Sequence, residues 1–308
     1  MRSQSAYGTR IDSTTTRYSP ELPMQAIDWN ELCAGEFSAT ATAVTIGVFD
    51  GLHAGHRALI RRVVEGQGTR SLVLTFAVHP ALALDPAGFG GYLQTRAQTL
   101  TRLEAIGVDA CVLIDFTERF RAMSGQEFLK QLARAVDLRR LVIGYDFRCG
   151  HGPDMNPADI ARFFSGSHTA VEIVDPVVLD GHPVSSSRLR RILAEGGVDV
   201  VGRLLAAPYT IDLSAEAIVN GTAHAGVRIT NGRTVAGMQV LPPPGNYEVE
   251  LVGDPGASRA ATTLTIDENS LRWPLAAVGT IRYIVVHERR TQGESNARNE
   301  GAQIGTRC

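Results

Sequence analysis

The stretch Val44-Thr45-Ile46-Gly47-Val48-Phe49-Asp50-Gly51-Leu52-His53-Ala54-Gly55-His56-Arg57 constrains this chain more than any other. An apolar run gives way to glycines and two histidines, and a helical pattern over 55–65 follows at once. That order predicts a strand over 43–49, a tight turn and a helix N-terminus. A helix N-terminus presents free N–H groups and a positive dipole end, which favours phosphate. Gly47, Gly51 and Gly55 let backbone approach a ligand closely or take positive φ. His53 and His56, separated by Ala54 and Gly55, can face one anion. Either histidine alone reads as structural; two in this glycine context point to a nucleotide-phosphate site.

The first helix buries Ala58, Leu59, Val63 and Val64, and Gly66 stops it. A short element over 24–37, with Ile27, Trp29, Leu32 and Phe37, packs on the domain edge. A second buried strand, Ser71 to Phe76, ends in the loop Ala77-Val78-His79-Pro80. Helical spacing over 93–106 is closed by Gly107, and 110–114 is a third strand. Ser124 caps a helix running to about Val136, with Glu127 completing a capping box and Phe128, Leu129 and Leu132 inward. Leu141-Val142-Ile143 is a fourth strand leading into Gly144-Tyr145-Asp146-Phe147. Pro157 opens a helix to Phe164, and 171–174 is a fifth strand. Strands alternating with helices predict a doubly wound parallel sheet of the α/β class, which binds ligands at the C-terminal ends of its strands. His53, His56, His79, Asp146 and Phe147 all fall just past strand ends.

A second anion-binding device follows in Val184-Ser185-Ser186-Ser187-Arg188-Leu189-Arg190-Arg191. Three hydroxyls and three arginines gather at a helix start, of which one serine can serve simply as cap. Short helices run to Glu195 and over 198–205. From Tyr209 the texture changes. Strand-like stretches at 217–219, 227–229, 234–240, 247–252, 262–266 and 281–286 are separated by Gly, Pro and Asn, as in a small antiparallel barrel or sandwich. The expected organisation is a polar disordered tail over 1–22, an α/β domain over 23–208, a small β-barrel over 209–287 and a disordered tail over 288–308.

Bulk properties narrow the partners. The 308 residues carry a formal charge of −2, which gives no polyanion-binding surface and argues against nucleic acid. No apolar run approaches the roughly 20 residues that span a bilayer. The N-terminus lacks the apolar core of a secretory signal. Cys33, Cys111, Cys149 and Cys308 form no C-x-x-C pair and match no zinc spacing, so the expectation is a reducing cytoplasm with no disulfide and no structural metal. The oligomeric state is not legible.

The residues so far resemble the bacterial bifunctional riboflavin kinase/FAD synthetase family. The resemblance rests on Gly47 to His56, on Thr75-Phe76 with His79-Pro80, on Gly144-Tyr145-Asp146-Phe147-Arg148 and on Val184 to Arg190. It runs in order over about 43–209, through Leu204-Leu205 and Pro208-Tyr209. It implies a Rossmann-like nucleotidylyltransferase fold and transfer of AMP from ATP to FMN, giving FAD and pyrophosphate with Mg2+. It implies that His53 and His56 contact the ATP phosphates and that Ser186, Ser187 and Arg190 hold the triphosphate from the opposite side. Gly47, Phe49, Asp50, Gly51 and Gly55 complete the ATP site, although Asp50 reads equally well as a turn cap. The flavin would lie near Phe76, His79, Asp146 and Phe147, with a loop-stabilising role for His79 as the alternative.

The family usually has Asp-Pro where this chain has Ala77-Val78, and Phe where it has Cys149. Its kinase domain carries a G-x-P-T-A-N segment, and none follows Tyr209; the nearest landmark is Val240-Leu241-Pro242-Pro243-Pro244-Gly245-Asn246-Tyr247. The resemblance therefore implies an FMN adenylyltransferase beside a degenerate kinase-like barrel. A nucleotidylyltransferase with another phosphorylated acceptor, and an inactive flavin- or nucleotide-binding regulator, are the alternatives.

Overall fold

The computed structural model describes residues 23–289, apart from 36–39, 67, 153, 236, 254–258 and 276–279. Six strands form a parallel sheet: β1 (Gln25–Asp28), β2 (Ala41–Ile46), β3 (Arg70–Phe76), β4 (Ala110–Ile114), β5 (Asp137–Gly144) and β6 (Ala170–Val174). Their spatial order is β1-β4-β3-β2-β5-β6. Every residue of β2 from Thr42 to Ile46 is buried, because a central parallel strand is covered on both faces. β3 lies on one side of β2 and β5 on the other, so the connections leaving β2 and β5 diverge and open a crevice at their C-terminal ends.

Helices cover both faces. On one, α2 (Ala54–Val64) and α4 (Arg96–Ile106) bring Ile60 and Leu103 against Phe49, Val73 and Cys111. On the other, α1 (Trp29–Cys33), α6 (Gly125–Ala135) and α7 (Pro157–Phe163) pack Trp29, Phe128, Leu132 and Ile160 against Val44, Leu72, Val112 and Leu141. Single-turn helices α3 (Pro80–Leu84) and α5 (Glu118–Arg121) follow β3 and β4. A hairpin of β7 (Val178–Leu179) and β8 (His182–Pro183) leads into α8 (Ser186–Ala194) and α9 (Val198–Leu205).

The expected doubly wound sheet is present, with differences in detail. The edge element at 24–37 is strand β1 and helix α1, with Phe37 outside the described residues. β2 ends at Ile46 rather than 49, because Val48 O already accepts from Asp50 N and turns the chain. α4 starts at Arg96, capped by Thr95 in a full capping box with Gln98. The box expected at Ser124 is half formed: Ser124 Oγ accepts from Glu127 N, but the Glu127 carboxylate accepts from Gln131 Nε2.

The remaining strands form a second, antiparallel sheet: β9 (Tyr209–Asp212), β10 (Ile218–Asn220), β11 (His224–Thr230), β12 (Arg233–Thr234), β13 (Gly245–Gly253), β14 (Arg259–Ile266), β15 (Ser270–Pro274) and β16 (Ile281–Arg289). They run in the order β10-β11-β15-β14-β13-β16-β9, with β12 on β11. The expected strand at 234–240 does not form. Only its first residue pairs with β11, and Gln239 and Val240 turn to pair with Tyr92 and Arg233. β9 and β15 were not legible, being short and bounded by Pro208 and Pro274. β16 continues through Glu288 and Arg289, past the expected end at 287, whereas the tails 1–22 and 290–308 lie outside the described residues. One buried cluster joins Leu189 and Leu193 of α8 to Tyr209, Tyr247 and Trp273, so the core under the second sheet reaches back into the helix carrying the serine–arginine element. No described helix is long and apolar enough to cross a membrane.

Candidate functional site

The turn after β2 is built on unusual backbone. Gly51 has φ +92°, and a Cβ there would stand 3.0 Å from Leu93 Cδ1. Leu52 has φ +35°, sparsely populated for leucine, and its fully buried side chain anchors it. His53 is the N-cap of α2, its Nδ1 accepting from His56 N at 3.3 Å. An accepting Nδ1 places the proton of neutral His53 on Nε2, leaving that N–H as a donor. The two imidazoles stack with centroids 3.6 Å apart, and Phe49 stands edge-on to His56 at 5.2 Å. A side chain at Gly55 would crowd this stack, since its Cβ would lie 3.3 Å from the His53 ring.

His56 Nδ1 is buried without a hydrogen-bond partner among the described residues. Burial, reinforced by the Arg57 charge, pulls His53 down to about 4; burial, reinforced by His53, pulls His56 well below its ordinary value. Both rings are therefore neutral at pH 7. They can donate to an anion, and an anion would draw protons onto them.

The N-terminus of α8 meets this turn. A Cβ on Gly55 would lie 3.6 Å from Val184 O, and Ser186 Oγ donates to Asp50 O at 2.9 Å. The cap itself is Ser185, whose Oγ accepts from Arg188 N; Ser187 is exposed. Arg190 Nε donates to Gly91 O at 2.7 Å, and its guanidinium pairs with the Asp50 carboxylate. That carboxylate also accepts from Leu93 N at 2.9 Å and Gln94 N at 3.1 Å. Burial raises the Asp50 pKa, against the opposing pull of Arg190 and the two amides.

Two expectations change here. Phe49 and Asp50 were both assigned to direct ATP contact, yet they are 2% and 5% exposed. Phe49 supports His56 from beneath. Asp50 is a buried tie whose oxygens are engaged by Arg190 and by the amides of Leu93 and Gln94, a distant loop rather than its own turn.

A cavity of about 670 Å3 opens over the C-terminal ends of β2 to β5. Phe76, Phe116, Phe120, Met123, Phe128 and Phe147 wall it, with Gly47 and Val48 of the histidine turn at one side. Phe76 meets Phe116 edge-on at 5.5 Å. Arg121 and Arg148 add positive charge to this lining, offset in part by the Glu118 carboxylate. Such a wall suits a flat aromatic ligand carrying an anionic group. Cys149 also lines it; burial, and then the Asp154 charge, push its thiol up to about 12, so it is an uncharged wall atom at neutral pH.

Of the four residues expected beside a flavin, Phe76 and Phe147 line this cavity and the other two do not. His79 Nδ1 accepts from Ala81 N at 3.1 Å as the cap of α3, its ring lies 5.0 Å from Phe89, and it faces a separate cavity of about 590 Å3. Asp146 is exposed in the turn after β5. Phe116 and Phe120 were missed, though they follow β4 as Phe147 follows β5, and the same strand-end rule finds them. Among the described residues, no three His, Cys, Asp or Glu side chains gather as a metal-ligand set.

A parallel doubly wound sheet with paired histidines at one helix N-terminus, and serine and arginine at a second one beside it, defines an α/β protein of the nucleotidyltransferase class. Residues 36–188 match the FAD synthetase family. A putative bifunctional riboflavin kinase/FMN adenylyltransferase of Geobacillus thermodenitrificans is 31% identical over 159 residues, covering 50% of this chain and 84% of that one. A bifunctional riboflavin kinase/FMN adenylyltransferase of Listeria monocytogenes is 30% identical over 179 residues, so the match spans 57% of that relative's length. This chain belongs to the FAD synthetase family. Its fold is shared with a solved structure described as a macrolide-efflux protein from Streptococcus pneumoniae, with TM-score 0.70 and 22% identity over 86% of this chain and 92% of that one.

Proposed function

We propose that this chain is an FMN adenylyltransferase, transferring AMP from ATP to FMN to give FAD and pyrophosphate. The observation that carries the reading is the adjacency of two compartments. The helix N-termini bearing His53, His56 and Ser186 meet at the turn after β2, and Gly47 and Val48 of the same turn line the aromatic cavity. An anion clamp beside a flat apolar cavity suits a nucleoside triphosphate meeting a flavin phosphate.

The chemistry asks for little beyond placement. The FMN phosphate is already anionic at pH 7, so no general base is needed. The site must bring two anions together and stabilise charge developing on the α-phosphate and on the leaving pyrophosphate. Neutral imidazoles, the α2 and α8 amides, Ser186, Ser187 and the Arg190 guanidinium are suited to that task. Mg2+ would enter with the triphosphate and be held chiefly by phosphate oxygens. The Asp50 carboxylate is already bound by Arg190 and two amides.

Riboflavin kinase activity is not part of the proposal. After Tyr209 the sequence lacks a G-x-P-T-A-N segment, and the landmark at 240–247 serves packing: Val240 N donates to Tyr92 O, Leu241 N to Gly232 O and Tyr247 OH to Pro243 O. FMN would then come from a separate kinase. A different phosphorylated acceptor is the second reading, favoured by Cys149 in the cavity wall.

Incubation with ATP, Mg2+ and either FMN or riboflavin, followed by chromatography, tests the assignment. FAD from FMN and no FMN from riboflavin is the expected result. No FAD removes the first reading, and FMN from riboflavin removes the degenerate-kinase reading.

A further inference from the structure

We infer that the second sheet is a positioning element of the nucleotide clamp, acting through a polar strut centred on Gln239. The inference rests on the adenylyl-transfer reading above and explains why a barrel without the kinase segment is built into the site.

The strut starts at the loop preceding α4. Gly91 O holds Arg190 Nε at 2.7 Å, and Leu93 N holds Asp50 at 2.9 Å. The Asp50–Arg190 pair is therefore placed only as well as this loop is. The loop is fastened to the second unit by backbone pairing: Tyr92 N donates to Met238 O and Val240 N to Tyr92 O, both at 2.9 Å. The Arg233 guanidinium donates to Phe89 O. Gly91 sits at φ +89°, where a Cβ would lie 2.6 Å from Arg233 Cδ and 2.9 Å from Met238 O, so the two chains touch at a point no side chain can enter.

Gln239 is fully buried at the centre of this contact. Its Nε2 donates to Leu93 O at 3.1 Å and to Thr210 O at 2.7 Å, and its Oε1 accepts from Asp212 N at 2.9 Å. One amide thus ties the loop to β9. Asp212 extends the tie by accepting from Thr95 Oγ1, the cap of α4, at 2.6 Å. The other half of the ion pair depends on the same unit, because α8, which carries Arg190, packs Leu189 and Leu193 into the core shared with Tyr209 and Trp273. Both partners are aimed by residues outside the parallel sheet.

The test uses the full chain with Gln239→Leu, the milder Asp212→Asn, and Ile160→Ala as a control that loosens the core under α7, away from the strut and from α8. FAD synthesis is measured with ATP and FMN varied separately, at a temperature where each protein is folded. Gln239→Leu is expected to lower kcat/KM for ATP by about tenfold to 10²-fold, as for a misplaced binding group, with KM for FMN unchanged. Asp212→Asn should shift the same constant less, and Ile160→Ala should leave it alone. A folded Gln239→Leu protein with wild-type kcat/KM for ATP overturns the inference, as does an equal loss in Ile160→Ala. If Gln239→Leu fails to fold, unchanged constants in Asp212→Asn overturn it. A wild-type chain that makes no FAD removes the adenylyl-transfer reading instead; calorimetric ATP affinity then tests the strut, and equal affinity in wild type and Gln239→Leu overturns it.

Discussion

The imidazoles of His53 and His56 lie stacked, 3.6 Å between centroids and 22° from parallel, while His53 Nδ1 accepts from His56 N. Two rings so close cannot both carry charge cheaply when buried. The pair is neutral at pH 7, with the His53 Nε2–H left as a donor.

Stability should therefore depend on pH in a defined window. The unfolded histidine titrates near its ordinary 6.5 and folded His53 at about 4, so between these values the unfolded chain binds more protons. The stabilisation is complete above pH 6.5 and is lost as pH falls toward 4, at up to about 1.4 kcal/mol per pH unit per histidine. Thermal midpoints should drop more steeply on acidification in the wild type than in His53→Asn, which keeps a capping acceptor. Parallel curves would count against the assignment.

In the proposed adenylyl transfer His56 would stabilise charge that develops in the transition state, and His56→Ala removes that group. We expect kcat for FAD formation to fall on the order of 10²–10³-fold in a folded protein. Unchanged turnover would refute the role.

Asp50→Asn keeps the shape of the tie and removes the charge facing Arg190. The two side chains are 4% and 17% exposed, so the guanidinium would be left largely buried and unpaired. A loss of about 3 kcal/mol in denaturant unfolding is expected, together with weaker ATP binding. Wild-type stability would show that the pair is dispensable.

Phe147→Ala trims the aromatic cavity and leaves the histidine turn alone. KM for FMN should rise about tenfold, equivalent to about 1.4 kcal/mol, while KM for ATP stays put. Equal rises in both would place Phe147 outside the flavin compartment.

Much of this arrangement was legible in sequence because it is local. Gly51 and Gly55, the capping residues and the apolar period of each strand act over a few positions, so the turn after β2 and the start of α8 could be read directly. Phe49 was read only as part of the ATP site, and Asp50 and His79 each carried two readings. Each falls in a motif, yet which way its side chain faces depends on what packs against it: His56, Arg190 and Phe89 respectively. The stretch at 234–240 misled for a related reason, since its apolar spacing serves a contact with Tyr92 rather than a strand in its own sheet.

By itself the sequence determined the strand–turn–helix with histidines at the helix start, the parallel sheet and the change to short antiparallel strands. Backbone conformation and hydrophobic period, which set these, are properties of neighbouring residues. Tertiary structure alone decided that Asp50 meets Arg190 across 140 positions. It also decided that Gln239 reaches Leu93, that Phe116 and Phe120 join Phe147 around one cavity, and that His79 does not. Those meetings follow from strand order and from how two sheets share the helix between them, and no run of residues encodes them locally.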